Sequence, residues 1–392
     1  MSKQALNTLI KSLCKKHKLK GIEIIVVNNG STNNTAAGLK KLITKYASTS
    51  IEIIPLHLEE NMGYPIGVNL GLAKCRGEII TILNNDLIFP PYWFDGLVNT
   101  LTNKQDIGAV VPYLSSASGA QNARVNLNSI SEIYNFAQNF MAKNNQKIIY
   151  SQRIIGACLV LKKEVIDQIG GNDFWFGIGN YDDDDLSIRI ALAGYKLAIV
   201  GNSFVYHIGT ATFKRKIHQL NCALGANHSK FSLKWNLAPQ GEYDSRKTLL
   251  NNINYNKQKH YFPIKIKDFT DLKPPLIKEP NQSNLLLVAD WNNDKSRWKE
   301  KLAATIKDIS TEELWLWIPK KYFFITKIVN EIKNITKAKQ FKFEKINFIH
   351  QNITPVDLLN FLNSFDCILT VNQDYVNKYI CYLARKIAIP IQ

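Results

Sequence analysis

The chain has 392 residues, of which 45% are hydrophobic and 10% aromatic, a composition that builds apolar cores and excludes a disordered or low-complexity chain. No apolar run approaches the ~20 residues of a membrane span, and residues 1–20 lack the apolar stretch and cleavage site of a signal peptide, so the sequence points to the cytoplasm. The formal charge of +17 is uneven, with a net +4 over residues 1–210 and a net +13 over residues 211–392. Those lysines are dispersed and no nucleic-acid motif accompanies them, so no specific nucleic-acid partner is expected. A solvated basic surface or peripheral contact with an anionic membrane remains open. The six cysteines (Cys14, Cys75, Cys158, Cys222, Cys367, Cys381) show no metal or redox spacing and read as free thiols.

Residues 3–19 predict an amphipathic helix with Leu6, Leu9, Ile10 and Leu13 on one side. The apolar run 22–27 predicts a strand buried on both faces, followed by the polar turn Asn28 to Thr32 and a helix over 36–46. A strand over 51–56, a helix over 65–75 and a strand over 78–83 repeat the pattern, and the last runs into Asn84-Asn85-Asp86. Strands and helices alternating at this spacing predict βαβ units in a mostly parallel sheet. Ligands in such folds bind on the loops after the strands, which here hold Asn28–Thr32 and Asn84–Asp86. Asn28 to Ser31 equally suits a plain turn. Asp86, between a buried strand and Pro90-Pro91, suits metal or ribose binding.

The most informative stretch runs from Gly179 to His207. Four consecutive aspartates, Asp182 to Asp185, precede a helical apolar pattern that ends at Gly194, so they fall at a helix N-terminus. The ordinary reading makes Asp182 an N-cap and pairs Asp185 with Arg189 on an exposed face. Four adjacent carboxylates repel one another, however, and a bound cation or a raised pKa would relieve them. A strand over 196–200 leads towards His207. From residue 236 the chain turns polar and proline-rich, predicting a linker or strap over 236–283 between a first domain, 1–235, and a small α/β Rossmann-like domain, 284–392. In the latter, strands are expected over 285–289, 313–318, 346–349 and 367–371, with a helix over 355–365.

The ordered segments IVVNNGSTNNT, ENMGYPIGVNLGLAKCRGEIITILNNDL, GACLVLKKEVIDQIGG and GNYDDDDLSIRIALAGYKLAIVGNSFVYHIGTATF resemble family 2 glycosyltransferases of the GT-A fold. The resemblance spans roughly residues 3–215. It implies that Asn84-Asn85-Asp86 stands for the family's DxD motif, with Asp86 on a divalent cation (Mn or Mg) and Asn84 replacing the first acid. Asn28 and Asn29 would contact the nucleoside of the donor, Asp183 would be the general base, and His207 would complete the metal site. Asp182 and Trp175 are candidates on the acceptor side, although Trp175 is as readily a core aromatic. The family usually opens with a strand ahead of the first helix, which this chain is expected to lack. The implied activity is metal-assisted, inverting transfer from a nucleoside-diphosphate sugar to a glycan, lipid-linked or protein acceptor. The alternative is a non-catalytic module that binds nucleotide sugars or glycans.

Overall fold

A computed structural model describes residues 3–14, 21–209, 217–237, 242–269, 283–293, 296–371 and 374–392. Helix α1 (Lys3–Leu13) buries Leu6, Leu9, Ile10 and Leu13; residues 15–19 of the expected longer helix lie outside the described residues. Strand β1 (Ile22–Asn29), helix α2 (Thr35–Tyr46) and strand β2 (Ile51–Leu58) form a parallel pair in register from Ile22 opposite Ile51 to Asn29 opposite Leu58. Helix α3 (Tyr64–Leu72) then packs on β1, and Gly71 permits the approach because a Cβ there would lie 3.1 Å from Val27 Cγ2.

Next come β3 (Ile79–Leu83), β4 (Leu87–Ile88), α4 (Asp95–Asn103), β5 (Ile107–Leu114), α5 (Ile130–Lys143), β6 (Ile148–Ser151), β7 (Cys158–Lys162), α6 (Lys163–Ile169), α7 (Asp182–Leu192) and β8 (Lys196–His207). The strands form a sheet in the order β3-β7-β5-β8-β4, with β6 also on β8. This sheet is mixed. The β5–β8 pair is parallel, and the other pairs are antiparallel. Strand β5 is buried at every position, as a central strand covered on both faces should be. Strand β8 runs seven residues past the expected end at 200, to His207. Gly201-Asn202-Ser203 reads as a turn, but the ladder absorbs it as a bulge between Val200 and Phe204, and the buried Ser203 hydroxyl donates to Trp93 O.

Helices α8 (Ile217–Trp235), α9 (Glu242–Asn252) and α10 (Lys257–His260) follow. The described part of 236–283 is thus partly helical and lies back on the first domain, where Phe262 bridges to Gly170. The C-terminal unit comprises β9 (Asn284–Leu287), α11 (Trp298–Asp308), β10 (Glu313–Trp317), α12 (Ile325–Ala338), β11 (Ile346–Ile349), α13 (Leu358–Leu362), β12 (Cys367–Leu369) and α14 (Tyr375–Lys386). Its strands form an all-parallel sheet in the order β11-β10-β9-β12. Its apolar core does not stop at the unit boundary: Met62, Ile66, Phe174 and Trp175 of the first domain belong to the same buried cluster as Leu286, Trp317 and Tyr322.

Candidate active site

The four aspartates at the start of α7 divide into two pairs. Asp184 receives Arg153 Nε at 2.6 Å and Nη2 at 3.3 Å, and Arg246 of α9 pairs with the same carboxylate. Asp185 is held by Arg189 Nε at 2.8 Å, by Trp235 Nε1 at 2.9 Å and by Lys234. Burial would raise the pKa of Asp185, but Lys234 and Arg189 outweigh it and leave the carboxyl below its ordinary range. The Asp185–Arg189 pair has the expected i,i+4 spacing, yet both side chains are fully buried, which corrects the expectation of an exposed pair.

Among the described residues neither Asp182 nor Asp183 forms a direct ion pair, although the charge of Arg153 acts on Asp183. Burial, then the charge of Asp183, pushes Asp182 well above its ordinary value. Burial and the neighbouring Asp184 raise Asp183 to about 6, against opposing hydrogen bonds from Gly156 N and Asp184 N. Asp183 is the only one of the four that is not buried from solvent. Its Oδ2 accepts from Gly156 N at 3.1 Å. The approach to this helix is conformationally unusual, since Gly177, Gly179, Asn180 and Tyr181 all have positive φ (50°, 105°, 73° and 65°). Non-glycine residues pay for that region sterically and occupy it only where their surroundings hold them there.

Asp86 and His207 meet where β4 pairs with the end of β8, with Asp86 Oδ2 3.3 Å from His207 Nε2. Burial lowers the imidazole pKa, but the Asp86 contact reverses this and leaves it above its ordinary value. His207 Nδ1 faces Ser116 O at 3.2 Å, a contact that requires a proton on Nδ1 and, in the neutral ring, leaves the Nε2 lone pair beside Asp86. The other Asp86 oxygen, Oδ1, is buried without a hydrogen-bond partner among the described residues. An orphaned carboxylate oxygen next to an available imidazole nitrogen fits a hard cation. Among the described residues, however, no cluster of three or more His, Cys, Asp or Glu is arranged to hold a metal.

Asn84 Oδ1 accepts from the Tyr64 hydroxyl at 3.1 Å. The Tyr64 phenol is pushed up by burial, then by the charges of Asp182, Asp183 and Asp86. It therefore lies among the carboxylates of both loops. A backbone link runs the same way: Asn84 N donates to Ala157 O at 2.8 Å, and Ala157 follows the Gly156 that binds Asp183. Tyr64 and the Asn84–Ala157 link thus bring the loop after β3 and the start of α7 near one another.

Asn28 and Asn29 lie at the end of β1. Asn28 Nδ2 donates to His57 Nδ1 at 3.0 Å, while its Oδ1 is buried and unpartnered among the described residues. Asn29 is committed to the backbone: its Nδ2 donates to Gly63 O at 2.9 Å and its Oδ1 accepts from Met62 N at 2.8 Å, clasping the 60–63 loop. Trp175 is corrected as an acceptor platform. It is 2% exposed and stacks on Tyr322 at 4.9 Å inside the core shared by the two units, so no sugar can reach its ring. Tyr64, Arg153 and Gly156 are site neighbours absent from the sequence expectations. Tyr64 sits in the Gly-rich segment after β2 and Gly156 opens the GACLVLKKEVIDQIGG segment, so both had a signal; Arg153, three residues earlier, had none.

Residues 2–170 match the glycosyl transferase family 2 model. It is 24% identical over 221 residues to the O-antigen biosynthesis protein RfbC of Myxococcus xanthus, an alignment covering 53% of this chain and 16% of that protein. It is 32% identical over 89 residues to an undecaprenyl-phosphate 4-deoxy-4-formamido-L-arabinose transferase of Pseudomonas fluorescens, covering 23% of this chain and 25% of the relative. The matched segments thus span a quarter or less of either relative's length. Among solved structures, the mannosyltransferase PcManGT from Pyrobaculum calidifontis in complex with GDP-Man and Mn2+ superposes with a TM-score of 0.42 at 16% identity, covering 64% of this chain and 65% of that one. No described helix is long and apolar enough to cross a membrane.

Proposed function

We propose that the chain is an inverting glycosyltransferase that moves a sugar from a nucleoside diphosphate to a hydroxyl of a glycan, lipid-linked or protein acceptor. The observation that carries this reading is the division of the acidic run: two aspartates are neutralised by buried cations, and Asp183 is left solvent-accessible with a pKa raised to about 6. Such a carboxylate is ionised at neutral pH yet basic enough to take a proton from an acceptor hydroxyl. As Asp183 accepts that proton, the acceptor oxygen bonds to the anomeric carbon and the bond to the diphosphate breaks on the opposite face, with the nucleoside diphosphate leaving. Asp182 lies on the acceptor side of this base. Asp86 and His207 would hold a divalent cation, with Asn84 beside them; the cation, when bound, neutralises charge on the leaving diphosphate. Asn28 would contact the nucleoside through its Oδ1, which is buried and without a partner among the described residues, and Asn29 shapes the donor side by fixing the 60–63 loop. The net +13 of residues 211–392 supports an acceptor presented at an anionic surface.

Asp183→Asn tests the assignment. We expect transfer to fall by roughly 10²–10⁴-fold, the usual weight of a general base, while calorimetry with the nucleoside diphosphate and Mn²⁺ shows donor binding essentially unchanged. Retained transfer, or equal loss of both, removes Asp183 as the base. Nucleotide binding in the wild type without transfer to any acceptor would favour a binding module.

A further inference from the structure

The C-terminal sheet has a strand order, β11-β10-β9-β12, in which the chain first moves outward from β9 to one side and then crosses to the other. The loops leaving β9 and β12 therefore diverge and open a crevice, the place where parallel α/β sheets bind ligands. In this protein the crevice is filled from within the chain. Lys230 of α8 is 1% exposed and its ammonium donates to Asp290 Oδ2, just after β9, at 2.8 Å and to Trp175 O at 2.7 Å. Asp374, ahead of α14, accepts from Asp290 N, and Asn377 Nδ2 ties Val288 O (3.1 Å) to Leu369 O (3.3 Å) across the two strand ends. Two carboxylates at this spot repel a nucleotide phosphate and attract a cation.

The same face of α8 runs along the segment that leads into the aspartates. Asn227, 3% exposed, donates through Nδ2 to the carbonyls of Phe176 (2.9 Å), Gly179 (2.7 Å) and Asn180 (3.2 Å). Lys234 donates to Asp173 Oδ2 at 2.8 Å, and Trp235 to Asp185. Asn227, Lys230, Lys234 and Trp235 follow helical spacing, so one stripe of α8 grips residues 173–185 from end to end. The positive-φ backbone of 177–181 needs such a grip. A second contact from the C-terminal unit reaches the neighbouring loop. Tyr375 packs where Gly63 meets Gly177, and Lys378 donates to Asn61 O at 2.9 Å and pairs with Glu60 at 2.7 Å.

We propose that the C-terminal unit uses its strand-switch crevice as a socket for Lys230 rather than as a nucleotide site, and that α8, seated there, positions the 176–181 loop presenting Asp182 and Asp183. Asn227 and Lys230 are positioning residues on this account. Its catalytic consequence rests on the transferase reading above, whereas the bracing itself does not.

Hydrogen exchange on the full chain separates the two. In Lys230→Met, peptides covering 173–186 should exchange faster by about tenfold or more while β5 stays protected; Lys230→Arg, which keeps the charge, should restore protection. Asp290→Asn, which keeps the shape of the socket, should loosen 173–186 in the same way and serves if Lys230→Met also exposes β5. With whichever of the UDP-, GDP- or dTDP-sugars the wild type turns over, Asn227→Ala and Lys230→Met should lower kcat by about tenfold or more and leave donor KM within about twofold. Unchanged exchange at 173–186 in both Lys230→Met and Asp290→Asn overturns the proposal, as does photolabelling of residues 288–293 by 8-azido-ADP. A kcat that stays level while 173–186 loosens overturns the positioning role. If the wild type turns over none of these sugars, the transferase reading loses support while the exchange result still decides the bracing.

Discussion

Asp183 differs from its three neighbours in its surroundings and not in its chemistry. Arg153, Arg246, Arg189 and Lys234 compensate Asp184 and Asp185, so repulsion within the run is concentrated on Asp182 and Asp183. The sign of the pH effect follows. Asp183 must be ionised to accept a proton and titrates near 6, so transfer should fall as pH drops through that value and level off above it. A pH–rate profile at saturating donor checks this; an acid limb near the ordinary aspartate value, about 4, would contradict it. The compensated pair is expected to matter for stability instead. Lys234→Met leaves the fully buried Asp185 with one cation fewer and should cost about 3–5 kcal/mol in urea unfolding, the usual penalty for breaking a buried pair. The sequence placed all four aspartates at a helix start. It could not sort them, because three of the four compensating cations (Arg153, Lys234 and Arg246) are distant in the chain and without local pattern.

Among the elements, apolar strands were the most legible, since β1, β3 and β10 announce themselves as nearly continuous apolar runs, although β1, expected to be buried on both faces, is buried only at Val26 and Asn28, and β3 only at Ile80. Strand β8 continues past the expected end at 200 because a bulge at residues 201–203 restores its pairing with β5, with the Ser203 hydroxyl satisfied by Trp93 O. That continuation brings the imidazole to Asp86. Trp175 shows the reverse limit. An aromatic cluster followed by glycine suits a sugar platform or a core equally, and the partners that decide, Trp317 and Tyr322, come from another unit more than a hundred residues away. Trp175→Ala should therefore destabilise the fold by about 3–5 kcal/mol, as large aromatic truncations in cores do, with little change in acceptor KM for the folded fraction. A selective rise in acceptor KM without loss of stability would return Trp175 to the substrate side.

At the scale of the whole molecule, the core that includes Phe174, Trp175, Trp317 and Tyr322 joins the first domain to the C-terminal sheet. The two should unfold together, in one transition by both intrinsic tryptophan fluorescence and far-ultraviolet circular dichroism. On the proposed function, Asp86 and Asp183 face one bound donor from different loops, and Tyr64 feels the charge of both. Affinity cleavage tests that convergence most directly. Fe²⁺ substituted for Mn²⁺, with ascorbate, peroxide and a nucleoside diphosphate present, cuts the backbone only close to the bound ion. The account predicts cuts at 84–86, at 207 and at 182–183 in the same sample, all lost in Asp86→Ala. Cleavage confined to one of these loops, or undiminished in Asp86→Ala, would contradict it.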